Sequence, residues 1–262
     1  MDISKGKIKV YGGLGLRKHR LAQGLFVAEG EKCVGETLPF FELEALVATP
    51  AWLEVRGVPK GVDPERVMTA TPRQVEQLSN LSTAPQVLAV YRLPQVKVPE
   101  PEELRGELAL MLDGVQDPGN LGTIMRCADW FGVRHIIASP DTVDIFNPKA
   151  VQATMGAIGR VHISYTDLVP YLSEYKSVTG NPVYGTLLEG SNLYEASLKN
   201  NGLVIMGNEG KGISGAVRAE ITAGLRIPSW PEGVPTVESL NVAMATAITV
   251  AEFRRQLMTN YK

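Results

Sequence analysis

Residues 108–126 of the chain read LALMLDGVQDPGNLGTIMR. The first five residues are apolar and predict a short buried strand, and the mostly polar run that follows, 113–120, predicts a loop. A helical pattern then continues to Phe131 and stops at Gly132. A strand that leads through a loop into a helix is the repeating unit of a parallel α/β sheet.

Further strands are predicted at residues 135–138, 183–187 and 202–206. They are continuous apolar runs rather than alternating ones, which indicates a parallel sheet covered on both faces. Ligands of such sheets bind beyond the carboxyl ends of the strands. The loops expected to carry chemistry are therefore those after Leu112, Leu187, Met206 and Ile227.

A proline-punctuated stretch, LPQVKVPEP at residues 93–101, cannot form a regular helix. It predicts a linker over residues 95–105, between a smaller domain at 1–94 and a larger one at 106–262. In the smaller domain, strands alternate with helices, which predicts an α/β sandwich. Its predicted strands are 26–28, 43–48 and 87–91, and its predicted helices are 31–38 and one that begins near Thr71.

The composition is that of an ordinary globular protein, with 44% hydrophobic and 21% charged residues. The two cysteines, Cys33 and Cys127, lack the spacing of a disulfide framework or a metal site, and we expect free thiols and no metal. No apolar run has the length of a membrane span, and the first residues do not resemble a signal peptide. We therefore expect a soluble, cytoplasmic protein without a membrane partner.

Charge is distributed unevenly along the chain. A net charge of −2 argues against a protein that coats nucleic acid by bulk charge. The first twenty residues are nevertheless basic, so any RNA contact is expected at this end, although a solvated helix face is the plain alternative. The residues concerned are Lys5, Lys7, Lys9, Arg17, Lys18, His19 and Arg20.

The segment at 113–126 contains two candidate functional residues. Asn120 has a side chain suited to capping the helix that follows. Arg126 lies six residues later in an otherwise apolar helical stretch, which favours a specific anionic partner such as phosphate or carboxylate. An arginine that faces solvent or pairs with an acidic residue is the alternative.

Two later segments have similar features. Residues 207–212, GNEGKG, follow a strand, and their three glycines allow close approach of the backbone to a ligand. Glu209 there could orient a ligand or simply cap a helix. Ser239 and Asn241 are capping types before a helix of small residues, 242–251, which suits a tight packing or subunit interface.

Taken together, these segments resemble the SpoU (TrmH-like) branch of the SPOUT RNA methyltransferases. The first family motif is matched by Asn120 and Arg126, and the second by the glycine loop at 207–212 with Glu209. The third is matched by Ile-Pro at 227–228 and Ser-Leu-Asn-Val at 239–242. The three motifs occur along the chain in the same order as in the family. The match spans about 106–258, and a weaker cue, Arg20 followed by GLFVAEG at 24–30, is similar to the family's ribosomal-protein-like RNA-binding domain.

The resemblance implies a trefoil-knotted α/β domain that works as a homodimer with its active site at the interface. It implies transfer of a methyl group from S-adenosylmethionine to a ribose 2′-hydroxyl, in ribosomal RNA rather than transfer RNA. No metal is needed for this reaction, because the donor is already activated. The family assigns a catalytic role to Arg126, and because a guanidinium stays protonated, we expect it to stabilise the developing alkoxide rather than act as a base.

The resemblance also implies the remaining site residues. Asn120, Glu209, Ser239 and Asn241 would position Arg126 and the ribose. The residues expected to hold the cofactor are Thr186, Leu187, Gly207, Asn208, Gly210, Ile227 and Leu240.

The sequence departs from the family pattern at two places, and two other functions stay open. The loop at 229–238 is longer than usual, with WPEG at 230–233, and Ala243 stands where many members have a second serine. A catalytically inactive RNA-binding or ribosome-assembly protein could keep the same fold. A nucleotide-phosphate enzyme is less consistent with the sequence, because the glycine loop lacks the P-loop pattern.

Overall fold

The computed structural model describes residues 1–231 and 234–259. Glu232 and Gly233, in the loop noted above, lie outside the described residues. The chain forms two compact units, of which the first contains Met1–Gln95 and Asp144–Arg160, and the second contains Val96–Val143 and the residues from Val161 onward. The sequence pattern placed a division at 95–105 but did not anticipate that Asp144–Arg160 belong to the first unit.

The described residues form both strands and α-helices. The strands are β1 (Leu25–Glu29), β2 (Leu43–Ala48), β3 (Val67–Thr69), β4 (Val87–Arg92), β5 (Leu108–Asp113), β6 (His135–Ala138), β7 (His162–Tyr165), β8 (Val183–Asn192), β9 (Gly202–Gly207) and β10 (Ala223–Arg226). The helices are α1 (Lys5–Gly12), α2 (Arg17–Gln23), α3 (Glu31–Thr37), α4 (Pro50–Arg56), α5 (Pro72–Leu78), α6 (Pro118–Trp130), α7 (Pro148–Thr154), α8 (Leu168–Thr179), α9 (Gly215–Arg218) and α10 (Val242–Thr259).

The first unit is built on a four-stranded mixed sheet in the order β1-β4-β2-β3. Only β2 and β3 are parallel neighbours, and the other pairs are antiparallel. Residues such as Val27, Val47 and Val90 pack in one apolar cluster with Tyr11 and Leu78. The predicted strands of this region are confirmed. So is the helix start near Thr71, which caps α5 with a reciprocal hydrogen-bond pair to Gln74.

The second unit contains a six-stranded parallel sheet in the order β10-β8-β9-β5-β6-β7, and the predicted parallel α/β sheet is thereby confirmed. The strands that precede the four predicted chemistry loops are β5, β9, β8 and β10, and they are neighbours in the sheet. Because parallel strands end at the same edge, these loops leave the sheet side by side.

The helix after β5 begins earlier than the sequence suggested, and the prediction of Asn120 as its cap is wrong. Asp117 is the cap, and its side chain accepts a hydrogen bond from the backbone of Asn120 at 2.8 Å. Pro118 follows as the first helical residue, where its missing N–H costs nothing and its fixed φ suits the helix. Asn120 therefore lies in the first turn, with its side chain free to make other contacts.

Strand β8 is interrupted where it passes β10. Its pairing with β10 jumps from Gly185 to Ser191, so residues 186–190 form a bulge that pairs with neither neighbouring strand and is called here the β8 arch. Gly190 closes the arch tightly, since a Cβ there would lie 2.6 Å from the backbone nitrogen of Leu225. The predicted strand at 183–187 is thus the first part of β8, and its last two residues lie within the β8 arch.

No helix among the described residues is long and apolar enough to cross a membrane. Cys33 and Cys127 are both buried free thiols, and burial raises the pKa of each to about 11. Both thiols are therefore protonated near neutral pH and pack as small apolar groups.

Candidate active site

Glu209 connects the first two motif segments. Its Oε1 accepts hydrogen bonds from Asn120 Nδ2 at 3.0 Å and from the backbone nitrogen of Asp117 at 3.2 Å. Its Oε2 accepts a hydrogen bond from the backbone nitrogen of Gln116 at 3.3 Å. The carboxylate thus binds the loop after β5 to the loop after β9.

Asn120 extends this network to the third segment. Its Oδ1 accepts a hydrogen bond from Asn241 Nδ2 at 2.9 Å. Asn241 Oδ1 in turn accepts from the backbone nitrogen of Ala243 at 2.9 Å, so Asn241 caps α10 as predicted. Side-chain hydrogen bonds therefore run from Glu209 through Asn120 to Asn241 and join all three motifs.

The network also determines the charge of Glu209. Partial loss of hydration raises the pKa of this carboxyl, but hydrogen bonds from Asn120 and from the backbone of residues 116, 117 and 209 lower it, and the net pKa lies below its usual range. Each of these donors stabilises the ionised form. Glu209 is therefore an anion at neutral pH, fixed in one orientation.

The glycine loop is held in shape by Asn208. Asn208 and Gly212 exchange two backbone hydrogen bonds, of 3.0 and 2.9 Å. Asn208 Oδ1 accepts from the backbone of Gly210 and Lys211, both at 3.0 Å, while its Nδ2 donates to the carbonyl oxygen of Gly114 at 2.6 Å. All these bonds lie within the chain, so the Asn208 side chain ties the two loops together.

Two acidic residues contribute to the site that the sequence analysis did not select. Asp113, at the end of β5, accepts a hydrogen bond from the backbone nitrogen of Ser214 at 2.7 Å and anchors the far side of the glycine loop. Asp117 caps α6 and also donates its backbone N–H to Glu209. The Asp-Pro pair at 117–118 is a helix-start signal that could have identified Asp117.

Arg126 lies outside this hydrogen-bond network. It is exposed on α6 and makes no hydrogen bond or ion pair with the described residues. Helical spacing places it on the same face as Thr123 and Trp130, both of which are also exposed. Its guanidinium thus has no partner among the described residues, which agrees with the alternative that it faces solvent.

The structure does not join Ser239 to the other predicted residues. Ser239 is exposed and makes no hydrogen bond to any described residue, and the capping role considered for it belongs to Asn241 alone.

The remaining predicted residues lie along the carboxyl edge of the sheet. Thr186 Oγ1 donates to the carbonyl oxygen of Ile205 at 3.0 Å, which holds the start of the β8 arch against β9. Leu187 and Ile227 are half-buried, and Leu240 is 48% exposed. Gly207 must be a glycine, because a Cβ there would collide with the backbone of Gly212.

The chain is similar to known RNA methyltransferases. Residues 107–251 match the SpoU rRNA Methylase family, and residues 5–89 match the MRM3-like substrate binding domain. The 23S rRNA (guanosine(2553)-2′-O)-methyltransferase RlmP of Bacillus subtilis is 32% identical over 255 residues, which cover 95% of this chain and 96% of the relative.

Two solved structures share nearly the whole fold. A TrmH-family protein from Porphyromonas gingivalis superposes with a TM-score of 0.85 at 42% identity, covering 98% of this chain and 100% of the other. An S-adenosylmethionine-bound rRNA methyltransferase from Sinorhizobium meliloti superposes with a TM-score of 0.82 at 28% identity, covering 98% and 97%. The family expected from the three motifs is thus confirmed, and the chain belongs to the SpoU rRNA methylase family.

Proposed function

We propose that this protein transfers the methyl group of S-adenosylmethionine to a ribose 2′-hydroxyl of ribosomal RNA. The observation that carries the proposal is the hydrogen-bonded series Glu209–Asn120–Asn241, which joins the three family motifs at the start of α6, the helix that also carries Arg126. Membership of the SpoU family and the relatives named as rRNA methyltransferases support it.

The residues at the carboxyl edge fit the proposed methyl donor. The β8 arch and the glycine loop place backbone groups at this edge, and Leu188 and Leu240 are 72% and 48% exposed there. Apolar side chains with a few backbone hydrogen-bonding groups are the usual lining of a nucleoside site. The residues proposed to hold the donor are Thr186, Leu187, Gly207, Asn208, Gly210, Ile227 and Leu240. When bound, S-adenosylmethionine supplies a methyl group on a sulfonium that needs no further activation.

The chain's own residues then have to activate a poor nucleophile. A guanidinium is poorly suited to act as a base, and we assign Arg126 the stabilisation of negative charge on the ribose oxygen and contact with the neighbouring phosphate. Glu209, Asn120 and Asn241 hold the loops around it in a fixed geometry, which lowers the entropic cost of aligning the ribose. Ser239, exposed beside this network, is assigned to ribose positioning.

A second copy of the chain is part of the proposal. The outer face of α10 carries Met244, Ile248, Ala251 and Met258 at helical spacing, and Met244 and Met258 are exposed. Trp130 on neighbouring α6 is 85% exposed. Apolar surface of this kind is typical of subunit contacts, so we propose that the protein is a homodimer. From the family resemblance, we also propose that the second unit has the trefoil-knotted topology. Light scattering of the purified protein tests the dimer.

The proposal extends to the class of RNA. The relative from Bacillus subtilis is named for a guanosine of 23S rRNA and is similar over nearly its whole length, so 23S rRNA is the first candidate substrate. An rRNA substrate would place the enzyme in the cytoplasm.

The direct test is a pair of measurements on the purified protein. We expect calorimetry to detect S-adenosylmethionine binding, and tritiated methyl transfer to 23S rRNA transcribed in vitro to leave the label on one ribose. Failure to bind the donor at millimolar concentration would favour the rival reading, an RNA-binding protein without catalysis. If the protein binds the donor and methylates another RNA but not 23S rRNA, the proposed substrate is wrong and the proposed reaction stands.

Replacing Glu209 with Gln is expected to lower kcat for methyl transfer by about tenfold to a hundredfold. The neutral amide keeps one acceptor oxygen but places an NH2 donor where the other oxygen was, so that it faces either the backbone N–H of Gln116 or that of Asp117. Losing a hydrogen bond to a charged acceptor costs about 1.5–3 kcal/mol. Because the pKa of Glu209 is lowered, the carboxylate network is intact above the usual glutamate range. It is lost only as pH falls through that lowered pKa.

The matched control for this variant is Glu195→Gln. Glu195 is also exposed and also accepts a hydrogen bond from an asparagine, Asn192 at 2.9 Å, but it belongs to none of the motif loops. Methyl transfer by the control should equal that of the unmodified chain. Equal kcat for Glu209→Gln and its control would show that the network does not contribute to catalysis.

A further inference from the structure

We infer that the first unit binds an unpaired segment of the RNA on one surface, formed by residues 16–21 and 79–83 and called here the recognition surface, and that buried Glu29 positions it. The inference rests on the proposed function, since it takes RNA as the partner. It adds which face of the first unit is used and which residue gives that face its shape.

Glu29 is a carboxylate in the interior, at the end of β1. Its side chain is 2% exposed, yet it forms no ion pair with the described residues. It accepts hydrogen bonds from Ser79 Oγ at 2.5 Å, from Asn80 Nδ2 at 3.1 Å and from the backbone nitrogen of Asn80 at 2.9 Å. Its partners thus all belong to the start of one loop, 79–83.

Burying a carboxylate costs several kcal/mol unless hydrogen bonds replace its hydration. A neutral or apolar residue at position 29 would avoid that cost and still complete β1. Only a side chain with two acceptor oxygens can accept hydrogen bonds from three donors of Ser79 and Asn80 at the same time. We therefore assign to Glu29 the shape of the loop rather than the stability of the sheet.

The loop is seated directly against the turn before α2. The Asn80 amide oxygen lies so close to Gly15 that a Cβ there would overlap it. His19 Nδ1 lies 2.6 Å from the position that a Cβ on Gly13 would occupy. The two glycines let the loop and the first turn of α2 pack into one continuous surface, with Ser82 and Thr83 exposed.

The α2 part of this surface carries unneutralised positive charge. Arg17 and Lys18 are exposed and form no ion pair with the described residues. Two exposed apolar side chains flank them, Leu16 at 56% and Leu21 at 65%. Arg20, which belongs to the same basic run, is instead buried, so only part of the basic segment seen in the sequence is available to a ligand.

These groups fit RNA with unpaired bases. Arg17 and Lys18 match phosphates, and the hydroxyls of Ser82 and Thr83 are donors and acceptors suited to base edges. His19 and the two leucines offer flat or apolar contact to base faces. Sequence-specific RNA recognition uses such contacts mainly on single-stranded loops and bulges, because the major groove of duplex RNA is too narrow for side chains.

The first test reverses charge on the recognition surface of the full-length protein. Arg17→Glu with Lys18→Glu should weaken binding to 23S rRNA transcribed in vitro, and to poly(U), by at least tenfold. The slope of log affinity against log salt should become shallower by about 1.4, the value expected for two phosphate contacts on a single strand. The control, Lys32→Glu with Lys60→Glu, makes the same charge change at two exposed lysines outside the surface and should have a much smaller effect.

The second test concerns the positioning role of Glu29. Gly15→Ala, which displaces Asn80 without removing any RNA-contacting group, and Glu29→Gln should each weaken rRNA binding about threefold to tenfold and leave the salt slope unchanged. Methyl transfer should then show a raised KM for RNA with kcat nearly constant. If Glu29→Gln fails to fold, Gly15→Ala carries this test.

The outcomes separate this inference from the proposed function. Unchanged rRNA affinity in the charge-reversal variant, while methyl transfer is normal, would overturn the recognition surface and leave the enzyme assignment standing. Tight binding to duplex poly(A)·poly(U) but not to poly(U) would overturn the choice of unpaired RNA. Loss of donor binding in the unmodified protein would contradict the proposed function instead.

Discussion

Replacing Arg126 with Ala is expected to reduce kcat for methyl transfer by about a hundredfold to a thousandfold, the usual loss when one donor to a developing oxyanion is removed. The side chain is exposed and makes no hydrogen bond to the described residues, so its removal leaves the fold undisturbed. Thermal unfolding and donor binding by calorimetry should therefore match the unmodified chain. Single-turnover transfer of a tritiated methyl group to rRNA measures the effect.

Two further variants define what Arg126 contributes. Arg126→Lys keeps the charge but loses the planar fork of donors, and we expect an intermediate rate. Arg134→Ala is the matched control, because the Arg134 side chain is also exposed and also makes no hydrogen bond or ion pair with the described residues, but it lies after α6 and outside the three motifs. Near-normal turnover by correctly folded Arg126→Ala would remove Arg126 from the mechanism.

The parallel sheet could be predicted from the sequence because its strands are buried on both faces. Strand β5, LALMLD, and strand β9, GLVIMG, consist mainly of short continuous apolar runs, which is the pattern of strands covered on both faces. The positions of the loops then followed from the rule that parallel strands end at one edge. The position of the site could therefore be predicted because the buried strands of the core were recognisable in the sequence.

The contacts within the site could not be predicted in the same way. The pairing of Asn120 with Glu209 and Asn241 joins residues that are far apart in the sequence, and local patterns contain no distance information. Asn120 was expected to cap α6, but Pro118 moves the start of the helix to Asp117. That shift of three positions is what releases the Asn120 side chain for the network.

The burial of one arginine in the basic run at the N-terminus also could not be predicted from the sequence. In the sequence, Arg17, Lys18 and Arg20 are equivalent cations. In the structure, Arg17 and Lys18 are exposed, whereas Arg20 is only 2% exposed. Arg20 forms an ion pair with Asp144, which belongs to the segment Asp144–Arg160 of the first unit. Burial of a charge depends on a distant partner, so no local pattern reveals it.

This ion pair gives the largest stability effect that we expect in the first unit. Arg20 Nη2 lies 2.6 Å from Asp144 Oδ2, and Arg20 Nη1 donates to the carbonyl oxygens of Leu14 and Gly15 at 2.8 and 3.0 Å. Asp144 Oδ1 also accepts from the backbone nitrogen of Phe146 at 3.0 Å. Asp144→Ala would leave a buried guanidinium without its counter-charge and would remove a turn contact. We expect a loss of about 3–5 kcal/mol in the free energy of unfolding.

Urea unfolding followed by tryptophan fluorescence measures this loss in the first unit, because Trp52 is buried there while Trp130 and Trp230 are exposed. The control is Glu42→Ala, which breaks the exposed pair with Arg92 and should cost at most about 1 kcal/mol. In the double variant Arg20→Met with Asp144→Ala, no unpaired charge remains, so much of the stability should return. If the single variant is as stable as the control, the pair does not hold Asp144–Arg160 in place.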